Sequence, residues 1–480
     1  MTKQSSAQGV LWESTAQTAN VLSLYFIHIY IARKLGASAY GVFGVLLSVL
    51  LWMRLFLEWG LPNATTKYLL DDTYSSRNAF KKTLTLHLGL SLIAGAVLFI
   101  FAPALAEYTK EPELTRYFRI LAIDMPLYGT AIYLYRLLQT FRYFRSSAII
   151  IFIVVGLRLT FVIVAISMDL GLYGVSMAYV ATSLTSCLCL IPFLKPLPFC
   201  IDSQKGHDLP YGVLLRFAGF QMAFVVLFQL IPTINLMHAK RFIAEASMVG
   251  HYVAVGTLSK APHSVFVFTL SLIMLTALTE AFAANKQDLI QHYFKQTVRL
   301  LMVVLLPYGV LLGLEGRPII ERLYAQDFGA GAAWFLPYYI GFLGLTAIFI
   351  MSIFYQAKAQ PERSFYAAFA LVISQIVLSW WLIPKYGAYG AAQAMMATGV
   401  LALLIFVLQF IRDFGLSFPP GTLVKFATVN IALFGVMVAA SAAGLPLWSR
   451  LAVAGITYAA LLWRLKLVTT EDLRKFTRAS

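Results

Sequence analysis

A handful of ionisable and amide side chains interrupt long apolar runs, and these are the positions where chemistry would have to happen. The first run carries Glu13, Gln17, Asn20 and His28. At 100° per residue these four fall within about 80° of one another on a helix, as a single polar stripe. The second run carries Arg54 and Glu58, one helical turn apart. Asp124 and Arg158 lie inside the fourth and fifth runs, and Lys260 and His263 flank Pro262 in the eighth. If such runs cross a membrane, an ionisable group within them is costly and marks a substrate or ion pathway. Basic groups suit an anionic ligand, and a guanidinium can hold phosphate oxygens through two parallel hydrogen bonds. A structural reading stands beside each functional one. The stripe could serve helix–helix hydrogen bonding. Arg54 and Glu58 could form a self-contained ion pair, with Arg54 about 9 Å deep and within snorkelling reach of the interface. Asp124 and Arg158 could pair with each other.

The runs themselves demand a bilayer. Of 480 residues, 60% are hydrophobic and 12% charged, against roughly 25% charged in an ordinary soluble domain. Mean hydropathy is +0.77. Spanning helices need roughly 20 mainly apolar residues, and about fourteen such segments can be placed along the chain. The eighth, residues 247–279, is overlong and contains Pro262, so a kink or break is expected there. The expected fold class is therefore an all-α polytopic membrane protein. The first apolar segment reads as a retained helix, since the polar start of the chain does not lead into a short core and a small-residue cleavage site.

Basic residues concentrate in alternate loops. Placing the N-terminus in the cytoplasm puts roughly twice as many lysines and arginines inside as outside, which supports two cytoplasmic termini. The net charge of +16 then reflects positive-inside bias, not a nucleic-acid surface. The loops reach only about sixteen residues, too short for a catalytic domain. The three cysteines, Cys187, Cys189 and Cys200, make neither a disulfide framework nor a metal site. There is no phosphate-binding loop of the G-x-x-x-x-G-K-[ST] type and no H-E-x-x-H.

Three short matches recur in order. Ala37–Phe43 resembles Ala246–Tyr252 at an offset of 209, Arg145-Ser146 resembles Arg363-Ser364 at 218, and Gly171-Leu172-Tyr173-Gly174 resembles Gly387-Ala388-Tyr389-Gly390 at 216. The offset spans six helices, an even number, so both copies sit the same way up. Residues 1–194 are then an N-terminal lobe of helices 1–6, and 195–210 a cytoplasmic linker with Pro196, Pro198 and Pro210. Residues 211–411 form a C-terminal lobe of helices 7–12, and 412–480 hold helices 13 and 14 and a cytoplasmic tail. Under the 209 offset His263 falls on Arg54 and Lys260 on Leu51, so basic groups lie at similar depth in both lobes.

Several segments resemble a known family. Ala32-Arg33-Lys34-Leu35-Gly36-Ala37-Ser38-Ala39-Tyr40-Gly41 and Glu58-Trp59-Gly60-Leu61-Pro62-Asn63 are similar to signatures of the polysaccharide transporter family. So are Leu138-Gln139-Thr140-Phe141-Arg142 and Ile383-Pro384-Lys385-Tyr386-Gly387-Ala388-Tyr389-Gly390. The likeness covers most of the chain and thins over the last two helices. It is a resemblance to Wzx-type oligosaccharide flippases, within the MOP superfamily that includes lipid II flippases and MATE drug exporters. It implies two six-helix lobes in a V around a central cavity, plus two extra C-terminal helices. It further implies movement of an undecaprenyl-diphosphate-linked oligosaccharide, for O-antigen, capsule or exopolysaccharide, from the cytoplasmic to the outer leaflet of the bacterial inner membrane by alternating access.

Under this reading Arg54, Lys260, Arg158 and His263 are the candidates to hold the diphosphate, and Glu13, Gln17, Asn20, His28, Glu58 and Asp124 to line the cavity or couple an ion. The coupling ion would be a proton or sodium; no other cofactor and no metal site are expected. Partners would be the lipid-linked oligosaccharide, membrane lipid, a glycan polymerase and a chain-length regulator, with no nucleic acid. Two rivals remain: an ion-coupled multidrug exporter on the same architecture, which should need a cavity carboxylate, and a membrane glycan polymerase or ligase, which should need a larger outer loop.

Overall fold

A computed structural model describes residues 6–69, 73–194, 207–264, 268–415, 420–465 and 467. These are almost entirely helical. The helices in chain order are α1 (Ser6–Trp59), α2 (Leu61–Leu69), α3 (Ser76–Tyr108), α4 (Leu114–Thr140), α5 (Phe144–Ser167), α6 (Gly171–Leu194) and α7 (Tyr211–Phe242). They continue with α8 (Ala246–Pro262), α9 (Phe268–Ala283), α10 (Gln287–Leu323), α11 (Phe335–Ala357), α12 (Pro361–Phe414), α13 (Pro420–Ala442) and α14 (Leu447–Arg464). A 3-10 segment, Gln326–Trp334, precedes α11.

Among the described residues, nine helical runs are long and apolar enough to cross a membrane. Both α1 and α12 have 54 residues, about 80 Å at 1.5 Å per residue, more than twice a hydrocarbon core of roughly 30 Å. Each is broken by a glycine in the left-handed region, Gly36 at φ 79° and Gly387 at φ 57°. Each therefore supplies two crossings. With α4, the α8–α9 pair and α14 added, the described helices accord with the fourteen crossings expected, α2 being too short to span. The break expected in the eighth segment is present: α8 ends at Pro262, and His263 and Ser264 leave the α-helical pattern.

The chain divides into two compact units, Met1–Gly250 with Ala368–Ile376, and His251–Ala367 with Val377–Ser480. In the first, α3 and α4 make the most extensive pairing. Pro126 has no N–H, so the carbonyl of Ala122 loses its helical donor. Gly95 of α3 packs there, where a Cβ would lie 2.7 Å from that oxygen. Buried polar pairs complete the contact: His87 Nε2 with the Gly129 carbonyl at 2.9 Å, and Thr83 with the Tyr133 hydroxyl at 2.8 Å. Helix α7 joins this unit through α1, with Trp52 Nε1 donating to the Val226 carbonyl at 3.2 Å. The expected linker falls mostly on residues 195–206, outside the described residues. Its described end is fixed to the α2–α3 turn and the start of α3. His207 N–H donates to the Thr73 carbonyl at 2.9 Å, Ser75 N–H to the His207 carbonyl at 3.1 Å, and Lys82 Nζ to Asp208 at 2.6 Å. The expected cytoplasmic tail beyond residue 467 also lies outside the described residues.

In the second unit α11 and α12 approach through glycine. A Cβ at Gly344 or at Gly399 would strike the other helix's backbone, Gly399 and Gly341 respectively. Such contacts bring helices together where lipid gives no hydrophobic drive. The α13–α14 hairpin lies on α10. Phe426, Val429, Leu433 and Met437 of α13 pack with Val303, Leu306, Val310 and Leu314. Arg450 of α14 pairs with Glu315 of α10 at 3.0 Å.

The repeat also appears in the backbone. Gly171 and Gly387, equivalent at the 216 offset, both have positive φ, 55° and 57°. A Cβ at Gly174 would lie 2.5 Å from Leu170 Cβ, and one at the equivalent Gly390 would lie 3.1 Å from Tyr386 Cβ, and residues 170 and 386 are themselves equivalent.

Candidate functional site

The intramembrane charges form distinct arrangements in the two units. In the first, Arg54 Nε and Nη2 both donate to Asp124 Oδ2, at 3.0 and 2.6 Å. Asp124 is fully buried and the Arg54 side chain 11% exposed. Ser183 of α6 donates to Asp124 Oδ1 at 2.6 Å, so both carboxylate oxygens are engaged. The guanidinium lies over the Tyr128 ring at 4.0 Å and the Tyr179 ring at 5.5 Å. A buried ion pair holds only when its remaining hydrogen-bonding capacity is met. Ser183 meets it on the carboxylate side, and the Tyr128 ring, with Tyr179 farther off, lies within cation–π reach of the guanidinium.

This corrects two structural pairings read from the sequence. Arg54 does not pair with Glu58 but with Asp124, because α4 presents its carboxylate to the α1 face that carries Arg54. Arg158 does not pair with Asp124. It is 7% exposed, and its Nη2 donates to Asn20 Oδ1 at 2.9 Å and to the Asn20 carbonyl at 3.3 Å, and also to Ser23 Oγ. All three acceptors are neutral, so its charge has no acidic partner among the described residues. Glu58 makes no hydrogen bond and no ion pair among the described residues; the cations that act on it most strongly are Arg136 and Arg54.

The polar stripe of the first helix is engaged by neighbouring residues. The Tyr135 hydroxyl donates to Glu13 Oε2 at 2.7 Å, and Ser147 Oγ donates to Glu13 Oε1. Gln17 Nε2 and Gln139 Nε2 donate to the Tyr135 hydroxyl oxygen at 3.3 and 2.8 Å, and Arg136 donates to Gln139 at 3.0 Å. His28 Nδ1 lies 2.8 Å from the Tyr40 hydroxyl. Glu13 and Gln17 thus join a network across α1, α4 and α5, while Asn20 serves Arg158.

The second unit differs. Lys260 Nζ has no acidic partner among the described residues; an aromatic ring, Phe342, lies 5.9 Å from it. His263 Nδ1 lies 3.0 Å from Thr346 Oγ1, and its ring meets Phe342 and Phe349 edge-on at 5.2 and 5.5 Å. Phe342, Thr346 and Phe349 share one face of α11, at i, i+4 and i+7. The 218 offset that aligns Arg145 with Arg363 places Asp124 on Phe342. Where the first unit sets a carboxylate against its cation, the second sets a phenyl ring.

The break at Pro262 is supported from outside α8. Pro262 cannot donate to the Leu258 carbonyl, and the Tyr308 hydroxyl of α10 does so at 2.8 Å. Sequence reading missed Tyr308, Ser183, Tyr128 and Tyr135. A proline four residues on marks which carbonyl is released, but nothing local marks the side chain that fills it. Among the described residues no cluster of three or more His, Cys, Asp or Glu forms a potential metal site.

A model of a family described as polysaccharide biosynthesis protein matches residues 30–331, more than half of the chain and including every intramembrane charge from Arg54 to His263. The chain belongs to that family. Individual relatives match along most of its length. It is 22% identical to stage V sporulation protein B of Bacillus subtilis (strain 168), over 99% of this chain and 98% of that protein. It is 21% identical to the lipid III flippase of Escherichia coli (strain K12), over 83% of this chain and 96% of that protein. Among solved structures, a lipid II flippase MurJ in an inward closed conformation superposes with a TM-score of 0.73 at 14% identity, covering 94% of this chain and 98% of that one. An inward-facing multidrug resistance MATE transporter superposes with a TM-score of 0.65 at 12% identity, covering 86% and 99%. The fold is that of the MOP-superfamily transporters.

Proposed function

We propose that this protein is a flippase of lipid-linked oligosaccharide, carrying an undecaprenyl-diphosphate-linked repeat unit for O-antigen, capsule or exopolysaccharide from the cytoplasmic to the outer leaflet by alternating access. The protein is then a transporter and not an enzyme, sits in the bacterial inner membrane with both termini in the cytoplasm, and works beside a glycan polymerase and a chain-length regulator. The observation that carries the reading is Lys260. An unpaired charge within a bilayer costs at least roughly 2.5–3.5 kcal/mol, and Lys260 has no acidic partner among the described residues. An anionic headgroup offsets that cost, and a diphosphate supplies one. His263 stands beside it against α11. In the first unit, Arg158 contributes positive potential, since its partners among the described residues are neutral, while Arg54 is largely committed to Asp124. The coupling role expected of the carboxylates falls to Glu58, because Glu13 and Asp124 are already hydrogen-bonded. Relatives named as flippases support the reading.

The experiment is a deletion strain assayed for surface polysaccharide and for lipid-linked oligosaccharide, complemented with wild type or Lys260→Gln. Loss of surface glycan with assembled precursor held on the inner leaflet is expected, restored by wild type and not by Lys260→Gln. Intact surface glycan in the deletion would reject the reading and bring drug export forward. Full complementation by Lys260→Gln would remove the anion site and leave the flippase reading standing.

A further inference from the structure

Two helices, α8 and α10, contain a proline that breaks their hydrogen-bond ladder next to a tyrosine-capped carbonyl. In α8, Pro262 releases the Leu258 carbonyl, and Tyr308 of α10 donates to it at 2.8 Å. In α10, Pro307 releases the Val303 carbonyl four residues earlier, and Tyr458 of α14 donates to it at 2.9 Å. Pro307 and Tyr308 are adjacent in sequence. The break that α14 caps is therefore one residue from the side chain that caps the break in α8, and Lys260 lies between Leu258 and Pro262. A proline leaves a helix free to bend, and what fills the released carbonyl selects the bend.

We propose that Tyr308 and Tyr458 are positioning residues for Lys260, and that the α13–α14 hairpin, which lies outside the two six-helix repeats, sets the course of α8 at Lys260 through these two bonds. The proposal rests on the reading of Lys260 as an anchor for an anionic headgroup. Other contacts hold the hairpin to α10, among them Arg450 with Glu315 at 3.0 Å and the packing of Leu433 and Met437 on Val310 and Leu314. Those contacts are distributed along the helix. The Tyr458 bond is the one made to a carbonyl that a proline has released.

The test is binding of undecaprenyl diphosphate to the purified full-length protein in detergent, followed by native mass spectrometry. Tyr308→Phe and Tyr458→Phe keep the rings and remove one hydroxyl each. Each is expected to weaken binding about fivefold, the scale of one neutral hydrogen bond. Lys260→Gln is expected to weaken it further. Tyr308→Phe/Lys260→Gln should bind no worse than Lys260→Gln alone, because a positioning residue has nothing left to position; a general loss of stability would add in full. Pro307→Ala restores a backbone donor for Val303 and should return Tyr458→Phe toward wild-type binding, which keeps the proposal testable if Tyr458→Phe alone folds poorly. Wild-type binding by both tyrosine variants, or full additivity with Lys260→Gln, overturns the positioning role alone. Wild-type binding by Lys260→Gln overturns the anion site, and the relay with it.

Discussion

Arg54 and Asp124 are 70 residues apart in sequence and joined by two hydrogen bonds to a single carboxylate oxygen. Each of the two was legible in the sequence as a charge inside an apolar run. Their partnership was not, because it depends on the rotation of two helices about their own axes, and a shift of one residue turns a side chain by 100°. The same limit explains why Glu58, one turn from Arg54, looked like its partner and stands apart from it. Removing one member of a buried pair strands the other, at a cost of roughly 3–5 kcal/mol, whereas replacing both by apolar residues is often neutral. Asp124→Ala is therefore expected to lower the thermal unfolding temperature of the detergent-solubilised protein markedly. Arg54→Met/Asp124→Leu should regain most of the loss. A double variant as unstable as the single one would show that the two charges do not act as a unit.

Helix existence was legible where the apolar runs were long, and so was the break at Pro262, since proline removes a donor wherever it occurs. What fills the gap was hidden. Tyr458 reaches the Val303 carbonyl across 155 residues of chain, and no local pattern reports such a contact. Losing that hydroxyl leaves a carbonyl in an apolar setting, at about 1–3 kcal/mol. Tyr458→Phe should lose about that much stability, and Pro307→Ala should shrink the difference; an undiminished difference in the Pro307→Ala background would place the effect of Tyr458 elsewhere. Glycine contacts give a second prediction at this scale. At Gly399 any Cβ meets the Gly341 backbone, which cannot give way, while at Gly435 of α13 nothing lies within 4 Å. Gly399→Val should strip folded protein from the membrane fraction on an immunoblot, and Gly435→Val should leave its level unchanged. Equal levels would show that α11 and α12 tolerate separation.

The two halves of the molecule share a backbone plan and differ in charge. The shared plan was legible in part from three short matches, one of which pairs Gly171 with Gly387, and both take a positive φ that favours glycine. The difference in charge was not, since equivalence between Asp124 and Phe342 acquires meaning only once each is seen facing a cation. In the first unit Arg54 meets a carboxylate at 2.6 Å. In the second, Lys260 meets a phenyl ring at 5.9 Å. Writing the first unit's solution into the second gives Phe342→Asp. A carboxylate there should neutralise Lys260, much as Asp124 neutralises Arg54, and compete with any anionic headgroup for the ammonium. On the proposed flippase reading, the expected outcome is loss of surface glycan to the level of Lys260→Gln, with unfolding temperature no lower than that of Phe342→Ala, since the acid gains a partner that alanine lacks. Phe342→Asp/Lys260→Gln should then unfold below Phe342→Asp, because the new carboxylate is left without its cation. Wild-type surface glycan in Phe342→Asp would mean that the charge of Lys260 is not what the proposed substrate uses, and that the charge difference between the halves serves something other than binding an anion.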